Sequence, residues 1–276
     1  MNLVLQGPAL NAEQANDVAR LAGSTRIERI AEHAWRIRAA APTEAIGEYC
    51  EPKRIDHAFV PEGRRFADLK LLAMDMDSTL INIECIDEIG DFAGKKAQIA
   101  AITAQAMRGE LDYPQSLRKR VSLLAGLDAG VLERVYTERL CLTPGAEALL
   151  GKCKANNVKV LLVSGGFTFF TERLKERLGI DYTISNRLEM ADGRLTGGLV
   201  GAIVDAQAKA AKFREVMQHL HARTEETVAI GDGANDLKMM ALSGFSVAFR
   251  AKPVVRAQAS CALNWSGLDG VINLFE

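Results

Sequence analysis

The chain has 276 residues, and at roughly 150 residues per domain this length favours two domains, or one domain with an insertion. The 34 Lys and Arg residues nearly balance the 35 Asp and Glu residues, which argues against a nucleic-acid-binding protein that relies on a basic surface. No apolar run approaches the ~18 residues of a membrane span. Five cysteines without a Cys-x-x-Cys pair favour reduced thiols and a cytoplasmic protein.

Residues 1–66 predict a small α+β domain. Asn11 is a candidate cap for a helix that continues to Leu21, and residues 26–30 and 34–37 alternate polar with apolar side chains, as half-buried strands do. Strands at 3–5 and 55–60 and a helix beginning near Pro42 complete a β-α-β-β-α-β order, which is typical of ferredoxin-like folds. The polar, turn-rich residues 61–65 predict a linker to a second domain at 67–276.

Residues 67–276 predict an α/β domain built on an open parallel sheet. Near-continuous apolar runs at 71–74, 158–163 and 227–230 are typical of parallel strands that are covered on both faces. Helical patterns lie between them, one of them with Thr143-Pro144 as its predicted N-cap and first residue. Asp192-Gly193 predicts the turn of a hairpin over 187–197. The helical stretch at about 83–142 is too long for a crossover connection, so we predict an inserted helical cap.

Two aspartates directly follow the first core strand. Asp75 and Asp77 are two residues apart, so in an extended chain both carboxylates project to the same side at the carboxyl end of the strand. Open α/β sheets bind their ligands at that end. Because two adjacent carboxylates repel each other unless a cation lies between them, the pair predicts a Mg²⁺ site, a pair of nucleophile and acid, or both.

Three further segments place complementary groups near this site. Ser164-Gly165-Gly166 offers a hydroxyl and free backbone N–H groups before a helix, an arrangement suited to phosphate. Residues 231–236, Gly-Asp-Gly-Ala-Asn-Asp, supply two more carboxylates in a sharply turning backbone. Lys209, near the start of a helix, can offer a positive charge to a phosphoryl oxygen. Together these groups indicate phosphoryl transfer, which depends on positioning and on stabilisation of negative charge.

The set of segments resembles the four motifs of the haloacid dehalogenase superfamily: Asp75-x-Asp77-Ser78-Thr79, Ser164-Gly165-Gly166, Lys209 and the run at 231–236. The resemblance covers roughly residues 69–276. Within the superfamily, Glu84 and the cap stretch at 107–120 resemble those of members that act on phosphoserine. It implies a Rossmann-like sheet with a helical cap and a Mg²⁺-dependent hydrolase that converts O-phospho-L-serine to L-serine and phosphate, the last step of serine biosynthesis. Residues 1–66 resemble the small ACT-like domain of some bacterial members.

The resemblance also implies catalytic roles. Asp75 is expected to be the nucleophile that forms an aspartyl-phosphate, and Asp77 the acid that protonates the leaving oxygen and later activates water. Mg²⁺ is expected to be held by the carboxylates of Asp75 and Asp232 and by the backbone carbonyl of Asp77, since this cation prefers oxygen ligands. Asp236 is expected to orient Lys209.

Six residues are implied to bind the substrate: Glu84, Arg120, Ser164, Gly165, Lys209 and Asn235. Phosphoserine carries an ammonium and a carboxylate besides its phosphate. Glu84 matches the position that binds the ammonium, and Arg120 matches the position whose guanidinium binds the carboxylate through two hydrogen bonds. Tyr113 stands where the resemblance leads us to expect phenylalanine, and a buried hydroxyl at that position needs a partner.

Two alternative functions would use similar catalytic groups, and a third, an amino-acid sensor, would be built on the N-terminal domain. A phosphorelay receiver also phosphorylates an aspartate at a strand end, but receivers are about half this length and have no helical insertion. A phosphotransferase would pass the phosphoryl group to another alcohol such as homoserine. An amino-acid sensor would keep only a vestigial catalytic domain. We expect a small-molecule substrate, no nucleic-acid or membrane partner, and a homodimer as the assembly to test.

Overall fold

The structure is a computed structural model that describes residues 1–276. Residues 1–60 contain a four-stranded sheet and two helices in the predicted β-α-β-β-α-β order. In chain order the elements are β1 (Asn2–Gln6), α1 (Ala12–Leu21), β2 (Ile27–Ala31), β3 (Ala34–Ile37), α2 (Glu44–Cys50) and β4 (Asp56–Val60). The strands pair antiparallel in the order β2-β3-β1-β4, and the Asn11 side chain caps α1 through the N–H of Gln14. This α+β order confirms the prediction.

Both faces of this small sheet are covered. Leu3, Leu5 and Ile37 belong to a core that the sheet shares with α1 and α2. Val4, on the opposite face of β1, joins Ala58 and Val60 of β4 in the main core of the protein. The N-terminal sheet is therefore packed between its own helices and the rest of the chain.

Buried polar groups connect that second face to residues 264–276. The carboxylate of Asp56 is almost inaccessible and accepts hydrogen bonds from the backbone N–H groups of Asn264, Trp265 and Ser266 at 2.7, 3.0 and 2.8 Å. Arg36 donates to the carbonyl of Phe275 at 2.6 Å. Because these groups satisfy backbone atoms that would otherwise lack partners, they fix one segment on the other.

The second sheet has seven strands, all parallel except the edge strand β8. Its strands are β5 (Leu71–Asp75), β6 (Lys159–Phe167), β7 (Tyr182–Ala191), β8 (Arg194–Val200), β9 (Thr227–Gly231), β10 (Phe245–Phe249) and β11 (Cys261–Leu263), in the order β11-β10-β9-β5-β6-β7-β8. The open parallel sheet confirms the predicted fold class, and β10 and β11 extend it beyond the three predicted core strands. Chain order reverses direction between β5 and β9, which is where such sheets open a ligand-binding crevice.

Four helices are inserted between β5 and the next element of the core: α3 (Cys85–Phe92), α4 (Lys96–Met107), α5 (Tyr113–Ser122) and α6 (Gly130–Glu138). They form the predicted cap. An isolated bridge between Ile81 and Leu142 closes the base of the insertion. The cap also contacts β8, because the N–H of Leu195 donates to the carbonyl of Leu127 at 2.9 Å. The hairpin of β7 and β8 turns at Asp192 and Gly193, both left-handed, as predicted.

The remaining helices are α7 (Ala146–Ala155), α8 (Thr168–Leu178), α9 (Ala206–His219), α10 (Leu237–Met240) and α11 (Pro253–Arg256). The predicted start of α7 is wrong: it begins at Ala146, after a left-handed Gly145, and no side chain caps it. Thr143 is held outside the helix because its N–H bonds to the carbonyl of Leu80 at 2.9 Å. Asp269 lies so close to Gly145 that a Cβ there would collide with it. Tertiary contacts thus override the local signal.

None of the helices combines the length and the apolar character that crossing a membrane requires. All five cysteines are free.

Candidate active site

A cavity of about 680 Å³ lies between the cap and the carboxyl ends of β5, β6 and β9. Seven predicted site residues line it: Asp75, Asp77, Glu84, Arg120, Gly165, Asp232 and Asn235. Ser164 and Lys209 are completely buried directly behind its wall. The structure therefore brings all of the predicted site residues to one place.

Strand register explains how the sheet assembles this site. Asp75 ends β5 beside Val163 of β6, and the preceding residue, Met74, lies beside Ile230 of β9. The next residues of the two neighbouring strands are consequently Ser164 and Gly231, so the groups that follow each strand converge on Asp75. Three separate sequence segments meet because parallel strands end at one edge of the sheet.

Asp75 is held from two sides. Its Oδ1 accepts the N–H of Met76 at 2.7 Å, and its Oδ2 lies 2.8 Å from the Nζ of Lys209. Burial raises the pKa of the Asp75 carboxyl, and the nearby Asp236 raises it further, whereas Lys209 opposes the shift. Lys209 therefore favours the ionised, nucleophilic form of a carboxyl that burial alone would protonate.

Asp77 lies in a tight turn over Met76–Leu80 that follows β5. The turn requires a left-handed Ser78, whose hydroxyl donates to the Glu84 carboxylate at 2.7 Å. The Oδ1 of Asp77 accepts only one modest backbone hydrogen bond, from the N–H of Cys85 at 3.3 Å. Burial first, and then the charge of Glu84, raise the pKa of Asp77 to about 7. A carboxyl in this range can both donate and accept a proton near neutral pH.

Lys209 is fixed by two carboxylates. It is fully buried in α9, and its Nζ lies 2.8 Å from Asp75 and 2.8 Å from Asp236. Burial alone would lower its pKa, but Asp236 and Asp75 outweigh burial and raise it. Asp236 is itself fixed, since its Oδ2 accepts the N–H of Gly233 at 3.1 Å. Lys209 thus remains a cation with a single orientation.

Carboxylate oxygens of Asp75, Asp232 and Asp236 lie within 4.8 Å of one another and could together hold a metal ion. Lys209 contacts both Asp75 and Asp236, whereas Asp232 accepts only the Thr79 hydroxyl at 3.4 Å and is therefore the least engaged of the three carboxylates. Burial first, and then the neighbouring charges of Asp236 and Glu84, raise the pKa of Asp232 to about 6. This all-oxygen, mutually repelling set is the environment in which a hard divalent cation is favourable.

The loop at the end of β6 is pinned by its neighbours. The Oγ of Ser164 accepts the N–H of Gly166 at 2.8 Å. The carbonyl of Gly165 accepts two hydrogen bonds, from the Nδ2 of Asn186 at 2.7 Å and from the hydroxyl of Tyr113 at 3.1 Å. β6 continues through this loop to Phe167, although its pairing with β7 is irregular there. Gly165 and Gly166 both line the cavity, with the Tyr113 hydroxyl close to the first and the Asp77 carboxylate close to the second.

The cap contributes charged groups to the opposite wall. Glu84 is exposed to the cavity but surrounded by protein, and this loss of bulk solvent raises its pKa. The Nε of Arg120 and the Oδ1 of Asp87 are buried in this wall without a hydrogen-bond partner. Buried polar atoms without partners are costly, so both are candidates for bonds to a bound molecule. This wall therefore contains one basic side chain, Arg120, and two acidic ones, Glu84 and Asp87.

The sequence model of the haloacid dehalogenase-like hydrolases matches residues 72–241, and a family described only as a domain of unknown function matches residues 3–46. The chain belongs to the haloacid dehalogenase-like hydrolase family. A curated phosphoserine phosphatase of a Polaromonas species is 54% identical over 77% of this chain and 92% of its own length.

Two solved structures resemble this haloacid dehalogenase-like hydrolase, one over nearly the whole chain and one over three quarters of it. The unliganded crystal structure of a probable phosphoserine phosphatase from Vibrio cholerae is 36% identical, covers 99% of this chain and 85% of its own, and superposes with a TM-score of 0.85. A phospho-aspartyl intermediate analogue of phosphoserine phosphatase is 39% identical over 75% of this chain and 99% of its own, with a TM-score of 0.71.

Some residues of the hydrolase site were not found from the sequence. Asp87 lies three residues after Glu84 in the same helix region, a spacing that puts both on one face and could have indicated it. Thr79, whose hydroxyl donates to Asp232 at 3.4 Å, lies within a recognised motif but was given no role. Asn186 carried no local signal, because its contact with Gly165 exists only once β6 and β7 are paired.

Proposed function

We propose that this chain hydrolyses O-phospho-L-serine to L-serine and inorganic phosphate through an aspartyl-phosphate on Asp75. The observation that carries the proposal is the pair of Asp75, bonded to the cation of Lys209, and Asp77, with a pKa near 7, on one cavity wall. The relatives named phosphoserine phosphatase support the choice of substrate. The four cap helices argue against the phosphorelay receiver, which has no such insertion.

In the first step, a carboxylate oxygen of Asp75 attacks the phosphorus atom while the bond to the serine oxygen breaks. The electron pair of that bond remains on the serine oxygen, and Asp77 supplies the proton that this poor leaving group needs. The product is serine and a phosphoryl group bound to Asp75. Dividing hydrolysis into two displacements lowers the barrier of each.

In the second step, the ionised Asp77 accepts a proton from a water molecule, whose oxygen attacks the phosphorus of the aspartyl-phosphate. The bond to Asp75 breaks, phosphate leaves, and both carboxyls return to their starting states. Negative charge on the phosphoryl oxygens is stabilised throughout by Lys209, by Ser164 and by the backbone N–H of Gly165. Asn235, which also lines the cavity, binds the substrate.

Mg²⁺ fits the donor set of the site. The Asp75 and Asp232 carboxylates and the backbone carbonyl of Asp77 would hold it, and all three are oxygen ligands of the kind it prefers. When bound, it would neutralise charge between the carboxylates and on the phosphoryl group.

The cap supplies selectivity for the serine part. Arg120, with an unpartnered Nε in the cavity wall, binds the substrate carboxylate, and Glu84 binds the ammonium. The two side chains present opposite charges, matching the two charges of the amino-acid end of phosphoserine.

The proposed reaction is tested by measuring phosphate release from phosphoserine with Mg²⁺, after chelation, and after Mg²⁺ is restored. We expect release that is lost on chelation and regained with Mg²⁺, because the repelling carboxylates lose their counter-charge. Adding homoserine or another alcohol separates hydrolysis from phosphotransfer. A phosphorylated alcohol formed in place of free phosphate would contradict the hydrolase assignment, and full activity after exhaustive chelation would contradict the Mg²⁺ requirement.

Arg120→Ala is expected to impair phosphoserine far more than an aryl phosphate that lacks a carboxylate. Losing charge-assisted hydrogen bonds should lower kcat/KM for phosphoserine by roughly 10- to 150-fold, which corresponds to about 1.5–3 kcal/mol. The aryl substrate makes no such contact, so its kcat/KM should stay near the wild-type value. Glu84→Gln should likewise lower kcat/KM for phosphoserine more than for the aryl phosphate, because it removes the negative charge that binds the substrate ammonium.

The matched control is Arg118→Ala, because Arg118 is exposed on the same helix and does not line the cavity. Arg118→Ala should leave kcat/KM for both substrates at the wild-type value. An equal loss on both substrates in Arg120→Ala would instead assign Arg120 to the phosphate or to cap stability. Unchanged kinetics would place it on a solvated helix face.

A further inference from the structure

Tyr113 connects the cap to the loop at the end of β6. It is the first residue of α5, whose start is rigid because the Asp112 side chain and Gln115 bond reciprocally to each other's backbone N–H. From there the ring reaches across the cavity, and its hydroxyl donates to the carbonyl of Gly165 at 3.1 Å. The two residues are 52 positions apart and lie in different structural layers.

The peptide unit between Gly165 and Gly166 is held at both of its polar atoms. Its N–H, that of Gly166, donates to the Oγ of Ser164, and its carbonyl accepts from Asn186 as well as from Tyr113. Asn186 is fixed in turn, since its Oδ1 accepts the N–H of Val204 at 2.8 Å. Of the three partners of this peptide, Ser164 and Asn186 belong to the core, and Tyr113 alone belongs to the cap.

Close approach is built into this contact. A Cβ at Gly165 would collide with the Tyr113 hydroxyl, so only glycine lets the tyrosine reach the carbonyl. Burial raises the pKa of Tyr113 to about 12, so the phenol remains a hydrogen-bond donor over the working pH range.

We infer that the Tyr113 hydroxyl is a positioning residue for phosphate binding, because it fixes the Gly165–Gly166 peptide from the cap side. Through this contact, the position of the cap on the core also determines the position of the Gly165–Gly166 peptide. This inference rests on the proposed function for its substrate, but the loop would serve any phosphate monoester. Tyr113 should therefore act on the phosphate end of the substrate, in contrast to Arg120 and Glu84.

Tyr113→Phe tests this inference because it removes one oxygen atom and keeps the ring. Losing one hydrogen bond should lower kcat/KM by about 2- to 12-fold, and by the same factor for phosphoserine and for an aryl phosphate. The Gly166 amide should exchange hydrogen faster, whereas the thermal midpoint should stay near the wild-type value, since Asn186 still satisfies the carbonyl. Tyr136→Phe is the control: Tyr136 packs from α6 and does not line the cavity, so it should match wild type.

Two outcomes would overturn the inference. Wild-type kinetics and wild-type exchange at Gly166 in Tyr113→Phe would show that the hydroxyl does not position the loop. A loss confined to phosphoserine would assign Tyr113 to the serine part. If the wild-type protein releases phosphate from the aryl ester but not from phosphoserine, and Tyr113→Phe lowers the former, the inference stands while the proposed substrate is wrong.

Discussion

Asp75→Asn is expected to abolish turnover of phosphoserine, with kcat lower by roughly 10⁴-fold or more. The amide cannot form the acyl phosphate, so neither displacement takes place. The fold should survive, because the side chain keeps its shape and Lys209 retains Asp236 as a partner at 2.8 Å. Phosphate release measures the loss of turnover, and rapid acid quench, which traps the phosphorylated protein, measures the loss of the acyl phosphate.

Retained binding separates loss of chemistry from loss of structure. Asp75→Asn should still bind phosphoserine, and its thermal midpoint should resemble that of the wild type. If the variant still incorporates a phosphoryl group that is labile in base, as acyl phosphates are, then Asp75 is not the nucleophile.

Asp77→Asn is expected to lower kcat for phosphoserine by about 10²–10⁴-fold, the usual contribution of a general acid or base. The asparagine oxygen can still accept the N–H of Cys85, so the turn after β5 should persist. With an aryl phosphate, whose leaving group needs no proton, the first step should be nearly normal, and phosphoenzyme should accumulate because water is no longer activated. Burst kinetics on that substrate measure the difference. A variant that loses both substrates equally, without a burst, would contradict the assignment of Asp77 as acid and base.

The pH dependence of the same variant is a separate check. Burial and the charge of Glu84 raise the pKa of Asp77 to about 7, so the group is protonated below this pH and ionised above it. Since the first step needs the proton, kcat/KM for phosphoserine should fall about tenfold per pH unit above 7 in the wild type. Asp77→Asn should lack this alkaline limb. If kcat/KM of Asp77→Asn still decreases above pH 7, that decrease would have to come from the titration of another group.

Local sequence patterns were sufficient to predict the strands and the cap that position the candidate active-site residues. The apolar runs before Asp75 and Gly231 predicted buried strands, and parallel strands must end at one edge, so the convergence of their side chains followed. The helical insertion after β5 was predicted from its length alone. The roles of the individual residues, the division at residue 66, the ACT-like character of residues 1–66 and the homodimer stay predictions.

Other features depend on contacts between distant segments and left no local trace. Thr143-Pro144 has the composition of a helix start, but a backbone bond to Leu80 and the closeness of Asp269 move the start to Ala146. The two bonds to the Gly165 carbonyl come from residues 52 positions before it and 21 positions after it. Side-chain pairs of this kind arise from packing, which periodicity and capping patterns do not encode.

The N-terminal sheet leaves the ribosome early, yet one of its faces is completed by residues translated roughly 200 positions later. At about 5–20 residues per second, that interval is about 10–40 s. During it, the carboxylate of Asp56 lacks the three N–H groups that it accepts in the folded protein. The nascent sheet therefore keeps an acid without its hydrogen-bond partners at the start of its edge strand β4 until residues 264–276 have been translated.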